Sequence, residues 1–96
     1  MFYLGIDVAK AKIDCCLILE NSASKKKTKT FSNMPKGFEQ LQTWLNHHAA
    51  SSTQTIILME ATSIYHERLA KYLFDAGYQV CVTNPARARY FAQSMS

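Results

Sequence analysis

The chain has 96 residues, of which 48% are hydrophobic and 19% charged, and a formal net charge of +4. That length holds one domain with a modest core, and the composition excludes a disordered chain. The positive balance points to an acidic partner, nucleic acid rather than a membrane surface, because no segment is both basic and strongly amphipathic.

The first element is the apolar run Phe2-Tyr3-Leu4-Gly5-Ile6-Asp7-Val8, whose residue types suit a buried strand. Asp7 stands out, because an ionised carboxylate at the end of such a strand needs a cation, hydrogen bonds or a raised pKa. It reads either as a ligand to a divalent metal or as the residue opening the turn after the strand. Gly5 lies two residues earlier on the same face, where the missing side chain admits a ligand. Asp7, Lys10, Lys12 and Asp14 break the run as a secretory signal, and no stretch is long enough to span a bilayer.

After a short connection, Lys12 to Glu20 alternates as a second, antiparallel strand with Ile13, Cys15, Leu17 and Leu19 on one face. Its neighbours Cys15 and Cys16 point to opposite faces, and no zinc-type spacing occurs. Buried thiols in a reducing cytoplasm are therefore expected. Asn21 to Ser24 is a turn. Lys25 to Phe31 forms a third strand, whose lysines Lys25, Lys26, Lys27 and Lys29 read as a solvated edge or as a phosphate-contacting patch.

Asn33 and Pro35 start a helix running to about His48, with Phe38, Leu41 and Leu45 inward and Trp44 at the core margin. His47 and His48 fall at its C-terminal end, where imidazolium suits the helix dipole. Thr55 to Met59 is a continuous apolar run ending in Glu60, the pattern of a parallel strand covered on both faces. Thr62 or Ser63 caps a second helix, with Tyr65, Leu69, Tyr72, Leu73 and Ala76 inward and Gly77 at its end. Tyr78 to Val82 is the fifth strand, and Asn84-Pro85 opens a third helix that carries Arg87 and Arg89.

The predicted fold is α/β, in the order strand-strand-strand-helix-strand-helix-strand-helix. Three strands form an antiparallel meander, and a right-handed crossover lays the fourth beside and parallel to the first. The result is a mixed sheet of order 3-2-1-4-5. Asp7 and Glu60 then meet at the C-terminal ends of adjacent strands, a switch point where ligands commonly bind. Strands lie about 4.8 Å apart, so both carboxylates reach one pair of cations about 3.5–4 Å apart. Oxygen ligands favour Mg²⁺ or Mn²⁺, and such metals with a basic surface point to phosphodiester chemistry on nucleic acid.

Three blocks carry a resemblance: Gly5-Ile6-Asp7-Val8-Ala9-Lys10, Met59-Glu60-Ala61-Thr62-Ser63-Ile64-Tyr65 and Val82-Thr83-Asn84-Pro85-Ala86-Arg87. In order and spacing they resemble the DEDD-type transposases of the insertion-sequence-110 family, relatives of the Piv invertases with a RuvC-like, ribonuclease-H-like N-terminal domain. The family usually has a glycine between its Thr and Tyr after the Glu, where this chain has Ser63-Ile64. The resemblance implies that Asp7 and Glu60 are the first two acids of a Mg²⁺-binding catalytic tetrad. It places the last two aspartates, and a C-terminal domain supplying a serine nucleophile, beyond Ser96. Residues 1–96 are then expected to be a single RuvC-like domain fragment of a cytoplasmic DNA transposase, with half a metal site and no strand cleavage alone. DNA, an element-encoded guide RNA, the C-terminal domain and further copies of the protein are the partners implied. Lys10, Lys12, Lys25, Lys26, Lys27, Lys29, Arg87 and Arg89 are the candidate nucleic-acid contacts. The competing readings are a non-catalytic nucleic-acid-binding module of the same fold and an actin-like or sugar-kinase ATPase half-domain. The ATPase reading lacks the glycine-rich phosphate loops it needs.

Overall fold

The computed structural model describes residues 1–19, 25–61 and 64–83. Its elements are β1 (Phe2–Val8), β2 (Lys12–Ile18), β3 (Lys26–Ser32), α1 (Pro35–His47), β4 (Thr55–Glu60), a 3₁₀ turn (Ile64–His66), α2 (Glu67–Asp75) and β5 (Gln79–Thr83). The expected third helix, with Arg87 and Arg89, and the expected cap at Thr62 or Ser63 lie outside the described residues. No described helix is long and apolar enough to cross a membrane.

The five strands form one sheet in the order β3-β2-β1-β4-β5. β1 pairs antiparallel with β2 and parallel with β4, β2 pairs antiparallel with β3, and β4 pairs parallel with β5. The β1–β2 turn is tight: Ala9 N–H donates to the Lys12 carbonyl at 2.9 Å, closing over Lys10 and Ala11. The order and strand directions are those the sequence predicts.

Period-two alternation puts Leu4, Ile6 and Val8 of β1, Ile13, Cys15 and Leu17 of β2, and Ile57 and Met59 of β4 on one face. All are buried there, with Phe38, Leu41 and Leu45 of α1 and Leu69 and Leu73 of α2 in the same core. Burial pushes the Cys15 thiol up to about 12, helped by Asp14 and Cys16, so it stays protonated and inert. Both helices lie side by side on this face. The Phe38 and Tyr72 rings are 5.5 Å apart, and the Tyr72 hydroxyl donates to Gln42 Oε1 at 2.8 Å.

Among the described residues the other face of the sheet is open, so the expected cover of β4 is found on one of its two sides within them. Leu58 and Tyr3 are each 51% exposed. The reason is topological. Right-handed crossovers that step the same way across a sheet, here β3 to β4 through α1 and β4 to β5 through α2, deliver their helices to the same side.

Helix ends depart from the sequence reading in detail. Asn33 does not cap α1; Met34 holds the N-cap position. The Asn33 amide instead donates to the carbonyls of Ala9 at 2.9 Å and Tyr65 at 3.0 Å, tying the β1–β2 turn to the 3₁₀ turn. Tyr65 is 40% exposed rather than inward. Gly77, at φ +93°, ends α2 as expected, and Ala49, at φ 59°, takes the equivalent left-handed position after α1. His48 is held below the ordinary histidine range by burial, then by His47 and Lys27, so its neighbours oppose the charge that the helix dipole favours. Trp44 is half-buried against the core, as predicted.

One buried polar atom lacks compensation. Thr55 is 2% exposed, and its hydroxyl has no hydrogen-bond partner among the described residues. Thr55→Val keeps the branched shape and removes the orphaned group, so urea denaturation should show a gain of about 1 kcal/mol. A loss would mean that the hydroxyl finds a partner.

Candidate metal centre on the open sheet face

The site is assembled by strand register. β1 and β4 keep a constant offset, with Gly5 beside Leu58 and Ile6 beside Met59. One further residue sets Asp7 beside Glu60. Both lie on the open face and are exposed. They line one cavity of about 750 Å³, bounded also by Gly5, Asp14, Cys16, Thr28, Thr30 and Leu58. The geometry thus brings together the two acids the sequence singles out.

It also adds a third. Asp14 stands directly across from Asp7 in the β1–β2 register. It accepts a hydrogen bond from Thr30 Oγ1 at 2.6 Å and lies 3.8 Å from the Lys12 ammonium. Three carboxylates on three adjacent strands therefore share one face, flanked in register by Thr30 on β3 and Thr83 on β5. Sequence reasoning missed Asp14, although a signal was present. The alternation of β2 already put Asp14 on the face opposite Ile13, Cys15 and Leu17, and the tight turn over Lys10 and Ala11 fixes the pairing with Asp7.

Like charges a strand apart repel, and a cation relieves them. Among the described residues neither Asp7 nor Glu60 has an ion-pair or hydrogen-bond partner, whereas Asp14 has both. No group of three or more His, Cys, Asp or Glu among the described residues is close enough to hold a metal by itself. The donors at the Asp7–Glu60 edge are nonetheless carboxylate oxygens, the hard type that suits Mg²⁺ or Mn²⁺ and not a thiolate metal. Space for the cation and its ligand is available, since a Cβ built on Gly5 would meet nothing within 4 Å.

That open space yields a test. Gly5→Ala should fold normally and gain up to about 0.5–1 kcal/mol, because glycine in a strand costs backbone entropy. Equilibrium unfolding measures it, and a marked loss of stability would show that the face above Gly5 is occupied in the folded protein.

The other sequence candidates are dispersed. Lys10 lies in the β1–β2 turn and Lys12 begins β2, beside Asp14. Lys25 precedes β3 and is exposed, as are Lys26, Lys27 and Lys29. Register splits this run: Lys27 and Lys29 sit opposite core-facing Leu17 and Cys15, whereas Lys26 sits opposite Ile18 on the open face. His47 and His48 are on the far side of the sheet from the carboxylates, and their rings touch each other edge to face at 5.2 Å.

Comparison with known proteins resolves the lineage. The family model DEDD_Tnp_IS110, described as Transposase, matches residues 4–96. The chain belongs to this transposase family. Pilin gene-inverting proteins of Moraxella bovis and Moraxella lacunata are each 32% identical to it over 93 residues, covering 97% of the chain and 28% of their own length. The chain thus spans about 28% of the curated relatives it matches. Among solved structures, Thermus thermophilus RuvC in complex with Holliday junction substrate superposes with a TM-score of 0.61 at 12% identity, over 94% of this chain and 70% of that one. The fowlpox virus Holliday junction resolvase gives 0.52 at 11% identity, over 88% and 62%. The fold of this family member is therefore RuvC-like, within the ribonuclease-H-like class.

Proposed function

We propose that the chain is the N-terminal catalytic portion of a DNA transposase, in which Asp7 and Glu60 hold Mg²⁺ or Mn²⁺ against the DNA strand to be cut and joined. The observation that carries the reading is the side-by-side placement of these two carboxylates at the C-terminal ends of adjacent parallel strands, on an open face with Gly5 below. When bound, the cation supplies Lewis acidity toward oxygens on phosphorus. The protein's own part is positional. Asp7 and Glu60 fix the cation between β1 and β4, Gly5 leaves room for the nucleic-acid backbone, and Asp14, anchored by Thr30, keeps the edge of the site negative.

The similarity to pilin gene-inverting proteins and the RuvC-like fold support DNA as the substrate. Two carboxylates are a sparse ligand set for a hard divalent cation, which commonly takes six ligands or more. The reading therefore includes further acidic ligands and a nucleophile from the rest of the full-length protein. A guide RNA, oligomer formation and a cytoplasmic location belong to the same proposal. The 96-residue chain alone binds the cation weakly and leaves DNA uncut.

Amide spectra of the chain titrated with Mn²⁺ test the site directly. Paramagnetic broadening should centre on Asp7, Glu60 and their strand neighbours. Broadening centred on His47 and His48, or spread evenly over the surface, would refute the assignment.

A further inference from the structure

A second groove runs along the opposite side of the sheet edge, between β3 and α1. It encloses about 690 Å³ and is lined by Lys29, Phe31, Lys36, Glu39, Trp44 and His47, among others. We infer that this groove binds a single strand of nucleic acid, separate from the strand at the carboxylates, with lysines on its phosphates and Trp44 against a base. The inference does not rest on the metal site, and it uses residues on the other side of the sheet.

Charge is the first argument. Lys27 and Lys29 project to the helix side of β3, two residues apart, which on a strand is about 6.8 Å. Lys36, on the first turn of α1, extends the row across the groove. None of the three has an acidic partner within ion-pair distance among the described residues, where lysines pair as Lys12–Asp14 and Lys71–Asp75. Glu39 is the acid on the groove wall. A line of uncompensated cations suits a polymer with a repeating anion.

Aromatic surface is the second argument. Phe31 and Trp44 meet edge to face at 5.7 Å, Trp44 and His48 at 5.4 Å, and Lys29 lies 5.6 Å above the Phe31 ring. Trp44 is half-buried: its inner part packs on the core, and the remainder borders the groove. A rigid ring beside a lysine row is the combination that holds single strands, whose base faces are free to stack. A duplex hides those faces. The same lysines also discourage pairing of the free β3 edge with another strand.

Trp44 is the sole tryptophan in the sequence, so its emission reports on the groove. The test titrates the chain with an oligothymidylate of about 12 nucleotides, within the ~4–16 nucleotide range of single-strand sites, and with the matching duplex. An oligouridylate arm shows which sugar is preferred, and tighter binding of either strand over duplex supports the proposal. The single strand should quench Trp44. Replacing Lys27, Lys29 and Lys36 together by Gln should weaken binding at least about tenfold, and should flatten the salt dependence by about two in slope, at roughly 0.7 per phosphate contact. Lys71→Gln, an exposed lysine on α2 outside the groove, should bind the oligonucleotide as the parent does. Unchanged affinity in the triple lysine variant, binding without change in Trp44 emission, preference for duplex, or an equal loss of binding in Lys71→Gln would each overturn the proposal. The last outcome would reduce the binding to the chain's overall positive charge.

Discussion

Converting Asp7 and Glu60 to Asn and Gln should raise the melting temperature of the chain in the absence of metal and remove most of the stabilisation that Mn²⁺ gives the parent. Both effects follow from one placement. The two carboxylates sit side by side with no compensating partner among the described residues, and Asp14 stands across from Asp7 in the register. Folding brings these charges together, so removing two of them relieves repulsion in the native state more than in the unfolded one. The gain is modest because all three groups reach solvent, which screens them. The metal effect is larger. A ligand bound only by the folded state stabilises it by about 2.7 kcal/mol at a concentration a hundred times its dissociation constant. If each carboxylate contributes at least about 1.4 kcal/mol to the cation, a tenfold factor, the double variant loses at least about a hundredfold in affinity, and the stabilisation by Mn²⁺ at that concentration falls to about 0.4 kcal/mol or less. Thermal denaturation with and without metal checks both halves. A double variant that is less stable than the parent, yet stabilised as fully by Mn²⁺, would show that the cation binds elsewhere.

The site proposed at the ends of β1 and β4 was only partly readable in advance, for reasons that differ from residue to residue. The pairing of Asp7 with Glu60 could be read because it depends only on strand order and direction. A meander followed by a crossover of consistent hand leaves few alternatives for these. Asp14 depended on the register of one hairpin, which follows from the closure of the turn between Ala9 and Lys12. Residue types alone do not show that closure. The open face was hidden for a different reason. The run Ile56, Ile57, Leu58 and Met59 shows that β4 is apolar on both sides, but it does not say what covers each side. In the structure Ile57 and Met59 are buried, while Leu58 is 51% exposed. The lysines of β3 show the same limit. In sequence they form one basic run, and the two-residue period of the strand divides them between two faces with different neighbours.

Local helix signals were the least transferable. Asn33 before Pro35 has the composition of a cap, yet the β1–β2 turn and the 3₁₀ turn both approach it. Its amide satisfies their carbonyls instead of the helix. A side chain with two donors serves whichever acceptors tertiary packing brings near, and sequence spacing cannot rank those against the helix's own amide groups.

Gly37→Val should cost the fold more than any other glycine substitution in the described residues, and the contrast with Gly5 isolates the cause. A Cβ at Gly5 would meet open space, whereas a Cβ at Gly37 would collide with the backbone carbonyl of Ser32 at the end of β3. Helix propensity alone argues the other way, since replacing a helical glycine by alanine gains about 0.8–1.0 kcal/mol. That gain cannot compensate here. The obstructing atoms include main chain held in the β2–β3 ladder, where Lys12 pairs with Ser32, so α1 must lift away from the sheet. Lifting α1 loosens Phe38, Leu41 and Leu45, which are 3%, 0% and 0% exposed. Overpacking a tight site costs about 1–3 kcal/mol, and the added branched carbons place Val at or above the upper end. For a domain of this size, 3 kcal/mol corresponds to a fall of roughly 12–24 °C in melting temperature. Gly37→Ala should fall between Val and the parent. Equal melting temperatures for Gly5→Ala and Gly37→Ala would mean that α1 does not press against the end of β3. The core that holds β1 and β4 in register would then need another explanation.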